Sequence, residues 1–122
     1  MILRCARAGD VFAFNAALPL LRRALKDALP FEVFQQYQDG TAQLWLAFDG
    51  DDLKAACVTQ TAGDSLHYWL CGGDGCDWRD LGNKIADAAR GSFRRLTMEG
   101  RPGWTRLLGF ERGSDGMMER IL

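Results

Sequence analysis

Hydrophobic residues along this chain change their spacing from three-and-four to every second position and back again. Val11, Phe14, Leu18, Leu21, Leu25 and Ala28 recur at helical steps and lay one apolar stripe along a helix. Asp10 is placed to cap its start, after Gly9 breaks a short edge-like strand over Ile2–Arg7. Pro19 lies inside the stripe and, lacking an N–H, predicts a kink or a split. Arg22, Arg23, Lys26 and Asp27 fall on the opposite, wet face. A second short helix is predicted over Phe31–Gln38, with Pro30 in its first turn and Gly40 as a left-handed stop. Phe31, Phe34 and Gln38 share one side of it, with Val33 and Tyr37 beside them, as core or lid packing.

The middle of the chain reads as three strands. Thr41–Phe48 is apolar on both faces at its centre, as expected of a strand covered on both sides. Asp49-Gly50 signals a hairpin, and Leu53–Thr61 returns antiparallel. After the Ala62-Gly63-Asp64 turn, Ser65–Cys71 alternates. Leu66, Tyr68 and Leu70 are predicted on one face, and His67, Trp69 and Cys71 on the other. Gly72-Gly73-Asp74-Gly75 reads as a loop.

Trp78, Leu81, Ile85 and Ala88 or Ala89 then predict a helix capped by Asp77 and stopped at Gly91, with Asp80 and Lys84 spaced for an exposed ion pair. A strand over Arg94–Met98 completes a strand–helix–strand unit, so its two strands should run parallel. Then come a tight Glu99–Trp104 passage, a helical turn over Thr105–Leu108, and a closing hairpin opened by Gly109-Phe110-Glu111. The whole predicts one α+β domain over residues 1–122. Its central sheet is mostly antiparallel, flanked by helices, with one parallel crossover.

Composition narrows the function classes. The chain has 122 residues, 48% apolar and 25% charged, enough for a packed core in one domain. A net charge of −1 gives no long-range attraction to nucleic acid or to an anionic membrane, so neither is expected as a partner. Acidic residues crowd the middle and arginines the end, read mainly as solvated faces that partly pair. No apolar run approaches the ~20 residues of a membrane span. No leader pattern opens the chain, so the cytoplasm is the expected location. The four cysteines are then expected as free thiols, and a single histidine argues against a metal site.

The order β, α, α, β, β, β, α, β, α, β carries QLWLAFDGDDLKAACVTQ as its hairpin, a helix after SLHYWLCGGDG, and the LLGFERG turn. Together these resemble the GNAT (GCN5-related N-acetyltransferase) superfamily. The pairing of QLWLAFDGD with a later EGRPGW resembles small phage- and prophage-borne proteins of that fold. The resemblance implies an acyltransferase that binds acetyl-CoA. The pantetheine arm would lie along Tyr68–Cys71, and Leu70 and Cys71 belong to that edge. The pyrophosphate would lie near Gly73 and Gly75, with Arg79 offsetting the negative charge of Asp74 and Asp77.

The family's usual tyrosine acid has no counterpart: counting back from Gly109-Phe110 reaches Thr105 or Trp104. Glu99 and His67 are the candidate catalytic bases, with Glu32 behind them. Gly100–Trp104 reads as a rigid structural corner, with Arg101 and Trp104 as alternative cleft-lining residues. The alternative function is a non-catalytic phage protein of the same fold that acts through protein contacts. An exposed sheet edge would also allow a homodimer.

Overall fold

A computed structural model describes residues 1–25, 28–73, 75–99, 102–113 and 115–122. The expectations for Lys26, Asp27, Asp74, Gly100 and Arg101 lie outside the described residues.

The chain runs β1 (Ile2–Cys5), α1 (Val11–Leu21), α2 (Pro30–Asp39), β2 (Ala42–Asp49), β3 (Asp52–Ala62), β4 (Ser65–Gly73), α3 (Trp78–Ala89), β5 (Arg95–Met98), α4 (Pro102–Leu107), β6 (Glu111–Arg112) and β7 (Met118–Ile121). Among the described residues, the strands form one sheet in the order β1-β2-β3-β4-β5-β7-β6. Every pairing is antiparallel except β4 with β5, the two strands joined through α3. The expected α+β architecture with one parallel crossover is the architecture found.

Local chemistry explains most element ends. The Asp10 side chain accepts from the N–H groups of Phe12 and Ala13 and starts α1. Pro19 lies within α1, and the helix outlasts it by only two residues before turning at Arg22. The predicted stripe therefore extends past the helix: Leu25 and Ala28 still pack on the core, but from the connection to α2. Pro30 opens α2, and Gly40, at φ 83°, closes it. Val33 and Tyr37 face the core from α2 and Phe34 packs beside them, whereas Phe31 is exposed, contrary to the predicted side. The Tyr37 hydroxyl lies 2.7 Å from the Arg7 carbonyl and 3.1 Å from that of Asp10, tying α2 to the β1–α1 junction.

Two apolar layers sandwich the sheet. On one face α1 and α2 press Phe14, Leu21, Val33 and Tyr37 against Leu44, Val58 and Leu70. On the other, Ile85, Ala86 and Ala89 of α3, with Leu108 and Phe110, cover Trp45, Cys57, Leu66, Tyr68 and Leu96. A fully buried aliphatic side chain such as Leu44 or Ile85 contributes about 1.5–3 kcal/mol. Arg95 on β5 ties the parallel seam to its neighbours, bonding Ser65 Oγ at 2.9 Å and Glu119 at 2.6 Å. That guanidinium is thereby engaged by the protein's own groups.

β4 departs from the predicted alternation. Val58 pairs with Leu70 and Thr59 with Tyr68, so Trp69 is an extra residue, a β-bulge. The bulge reverses the parity of everything after it. Leu70 packs under α1 and α2, while Tyr68 and Cys71 both face the α3 layer. Gly72 and Gly73, read from sequence as loop, continue the strand opposite Ala56 and Ala55. The predicted corner at Pro102–Trp104 is also different: these residues form the first turn of α4, where proline is well tolerated.

Candidate functional site

β4 outruns its parallel neighbour. Pairing with β5 ends at Tyr68 and Met98, whereas pairing with β3 continues to Gly73. Beyond Tyr68, one edge of β4 is thus turned toward space that β5 does not fill. That space is a cleft of about 990 Å³. Its walls are Tyr68, Trp69 and Cys71–Gly73 of β4, Met98 and Glu99 at the end of β5, and Pro19, Leu20, Arg23 and Ala24 around the end of α1. Trp78 and Trp104 close it from α3 and α4, their rings meeting edge to face at 5.0 Å.

The glycines of β4 are required by close packing. A Cβ on Gly72 would stand 1.9 Å from the Leu20 carbonyl oxygen, and one on Gly73 would stand 2.7 Å from that of Lys54. Backbone-to-backbone approach at Gly72 brings the end of α1 onto β4 and sets the width of the cleft.

The candidate residues separate into groups. Cys71, Gly73 and Glu99 line the cleft. Leu70 lies in the opposite core layer. His67 stands one residue before Tyr68, its Nδ1 2.8 Å from Thr97 Oγ1 on β5. Burial holds the imidazole below its ordinary pKa, and the nearby Glu99 carboxylate partly restores it. The Glu99 carboxylate thus acts on the His67 ring at the end of the seam.

Gly75 and Arg79 lie at the approach to α3 and are exposed. There the helix satisfies itself: Asp77 Oδ1 accepts from the N–H groups of Arg79 at 3.1 Å and Asp80 at 3.2 Å. Two of the donors that would otherwise meet an anion are occupied by a carboxylate of the protein. The exposed Asp80–Lys84 pair closes at 3.0 Å, as its spacing predicts. Of the two residues reached by counting back from Gly109-Phe110, Thr105 is buried on α4 and Trp104 lines the cleft.

Sequence reasoning missed several residues of this site. The Tyr68 hydroxyl is the one buried side-chain polar atom without a hydrogen-bond partner among the described residues. Burial pushes its pKa well up, the Cys57 and Cys71 thiols add to the rise, and Arg120 opposes it. It therefore stays protonated, an available donor. Arg23 was read as a wet-face residue, yet it supplies a cation to the cleft wall. Trp78, which the periodicity marks only as an apolar position of α3, forms part of the rim. Alternation alone could have flagged Tyr68 as buried, but nothing local signals the bulge that sets it beside Cys71.

These elements define a GNAT fold, and solved structures agree along nearly the full chain. GCN5 from Tetrahymena superposes with a TM-score of 0.76 at 8% identity, covering 99% of this chain and 96% of the other. A GNAT family acetyltransferase from Brucella melitensis, in complex with acetyl-CoA, gives 0.69 at 11% identity, covering 99% and 87%. N-acetylglutamate synthase from Neisseria gonorrhoeae, complexed with coenzyme A and N-acetyl-glutamate, gives 0.70 at 17% identity, covering 99% of this chain and 35% of that longer one. No protein-family model matches the sequence, and no curated protein matches it.

Proposed function

We propose that this protein is an acyl-CoA-dependent N-acyltransferase whose ligand enters where β4 parts from β5. The cleft beside the free edge of Trp69–Gly73 carries this reading. An extended backbone edge offers amide donors and acceptors in register with a flexible arm that itself carries amides, and the three tryptophans give that arm apolar walls. An acyl-CoA thioester supplies the activated acyl group. Neighbouring folds that hold acetyl-CoA or coenzyme A support the same choice of ligand.

Glu99, exposed at the mouth of the cleft, is the proposed base that takes a proton from the acceptor amine. Its carboxylate acts on the neighbouring His67 ring, raising that ring's pKa against the effect of burial. Tyr68 borders the cleft with its hydroxyl buried and protonated, and no tyrosine stands on α4 to serve as the acid, so the leaving thiolate takes its proton from solvent. The phosphate end fits less well: Asp77 holds two of the helix donors, and among the described residues Arg23 is the cation that lines the cleft. The non-catalytic phage-protein alternative has no specific observation in its favour.

Calorimetric titration with acetyl-CoA, followed by acetyl transfer to a panel of amines, tests the proposal. Binding is expected, and Glu99→Gln should lower kcat about 10²–10⁴-fold while leaving acetyl-CoA affinity near wild type. Absence of both heat and thermal stabilisation at millimolar acetyl-CoA would end it.

A further inference from the structure

The wall of the cleft holds a second reactive group that acyl transfer does not use. Cys57 on β3 and Cys71 on β4 are register partners, and their sulfurs lie 3.2 Å apart. Cys71 lines the cleft and is partly exposed; Cys57 is buried beside it on the neighbouring strand. Residues directly opposite on antiparallel strands have Cα atoms about 4.5–5.5 Å apart. That lies inside the window of about 4.4–6.8 Å for a disulfide, so side-chain rotation alone could join the two sulfurs.

We propose that Cys71 and Cys57 form a thiol–disulfide exchange pair serving the cleft, with Cys71 as the attacking thiol and Cys57 as the resolving thiol. The oxidant is a small-molecule disulfide, RSSR. Its best-fitting class, resting on the acyl-CoA reading above, is the disulfide of a pantetheine-bearing thiol. Cys71 loses its proton, its sulfur bonds to one sulfur of RSSR, the S–S bond breaks, and RS⁻ leaves with that bond's electron pair and takes up a proton. Cys57 then loses its proton and attacks the Cys71 sulfur of the mixed disulfide, expelling the second RS⁻, which is protonated in turn. Two protein thiols are oxidised to one disulfide, and one RSSR is reduced to two RSH. Burial, and then the hydrogen bond to Cys71, push the Cys57 thiol well up. Cys57 thus stays protonated in the reduced state, which leaves the first attack to the accessible Cys71.

The test exposes the reduced full-length protein to coenzyme A disulfide and, separately, to glutathione disulfide, read by intact mass and peptide mapping. In the wild type a Cys57–Cys71 cross-link is expected, with loss of two hydrogens and no retained adduct at either residue. Cys57→Ser should retain one half of the reagent at Cys71, and Cys71→Ser should leave Cys57 unmodified. Coenzyme A disulfide should react about tenfold faster than glutathione disulfide, a difference of about 1.4 kcal/mol. Equal rates with the same cross-link would support the pair while counting against the acyl-CoA reading of the cleft. Modification of exposed Cys5 while Cys57 and Cys71 remain reduced would overturn the proposal, and this readout needs only the wild type. Cross-linking of Cys57 to any other cysteine would overturn it as well.

Discussion

The strand end and the helix end of the cleft are built on opposite terms. At the strand end, β4 runs on past β5 and keeps one backbone edge unpaired by it, with Gly72 and Gly73 pressed against α1 and β3. At the helix end, Asp77 folds its carboxylate back onto the first turn of α3 and occupies donors that an anion would otherwise use. The contrast separates two properties that usually travel together in a nucleotide-type site. Tertiary packing creates the open strand edge, and local capping can close the helix end without disturbing it.

The largest expected effect lies at the strand end. Gly72→Ala places a methyl group where the Leu20 carbonyl stands and should lower stability by about 3 kcal/mol, read from chemical denaturation. Gly75→Ala meets no neighbour; it only forces a side chain into φ 67° and should lower stability by about 1 kcal/mol. Equal losses at the two positions would erase the distinction between a packed strand end and an open helix approach.

Asp77→Ala probes the helix end. Loss of the cap should lower stability by about 1 kcal/mol. Freed of that carboxylate, the first turn of α3 should gain acetyl-CoA affinity of about two- to fivefold, the scale of a helix-end charge effect. A drop in affinity would mean that Asp77 positions ligand instead of excluding it.

The smallest effect is a pH dependence at the seam. His67 is the chain's only histidine, so one imidazole resonance reports it directly. Its folded-state pKa lies below the ordinary 6.5 because burial disfavours the charged ring. The unfolded chain therefore binds the proton more readily. This contribution to stability is complete above the unfolded value and is lost as pH falls through 6.5 toward the folded one. Glu99→Gln removes the charge that raises the ring's pKa and should lower it further. An unchanged titration would separate the two residues.

The sequence disclosed what depends on near neighbours in the chain. The Asp10 and Asp77 caps, the Gly40 stop, the turn after Asp49 and the Asp80–Lys84 pair each rest on residues a few positions apart, and each stands where the pattern puts it. The parallel seam also followed, because a strand–helix–strand order admits few alternatives. What stayed hidden depends on pairing across strands. The Trp69 bulge exists only in the register of β4 against β3, so a strict every-second-residue reading put Leu70 with Tyr68 and separated Tyr68 from Cys71. The Cys57–Cys71 contact, fourteen residues apart in sequence, was invisible for the same reason. Gly72 and Gly73 looked like a loop because glycine usually marks one; here the close approach of α1 and β3 demands them inside a strand.

Amide hydrogen exchange across β4, with and without acetyl-CoA, tests the central claim most directly. If the ligand pairs with the edge that β5 leaves open, amides between Trp69 and Gly73 should slow on its addition, while those of Ser65–Tyr68, already held in the seam, should change little. Saturating acetyl-CoA that leaves residues 69–73 exchanging as before, or that protects a different surface, would contradict the account.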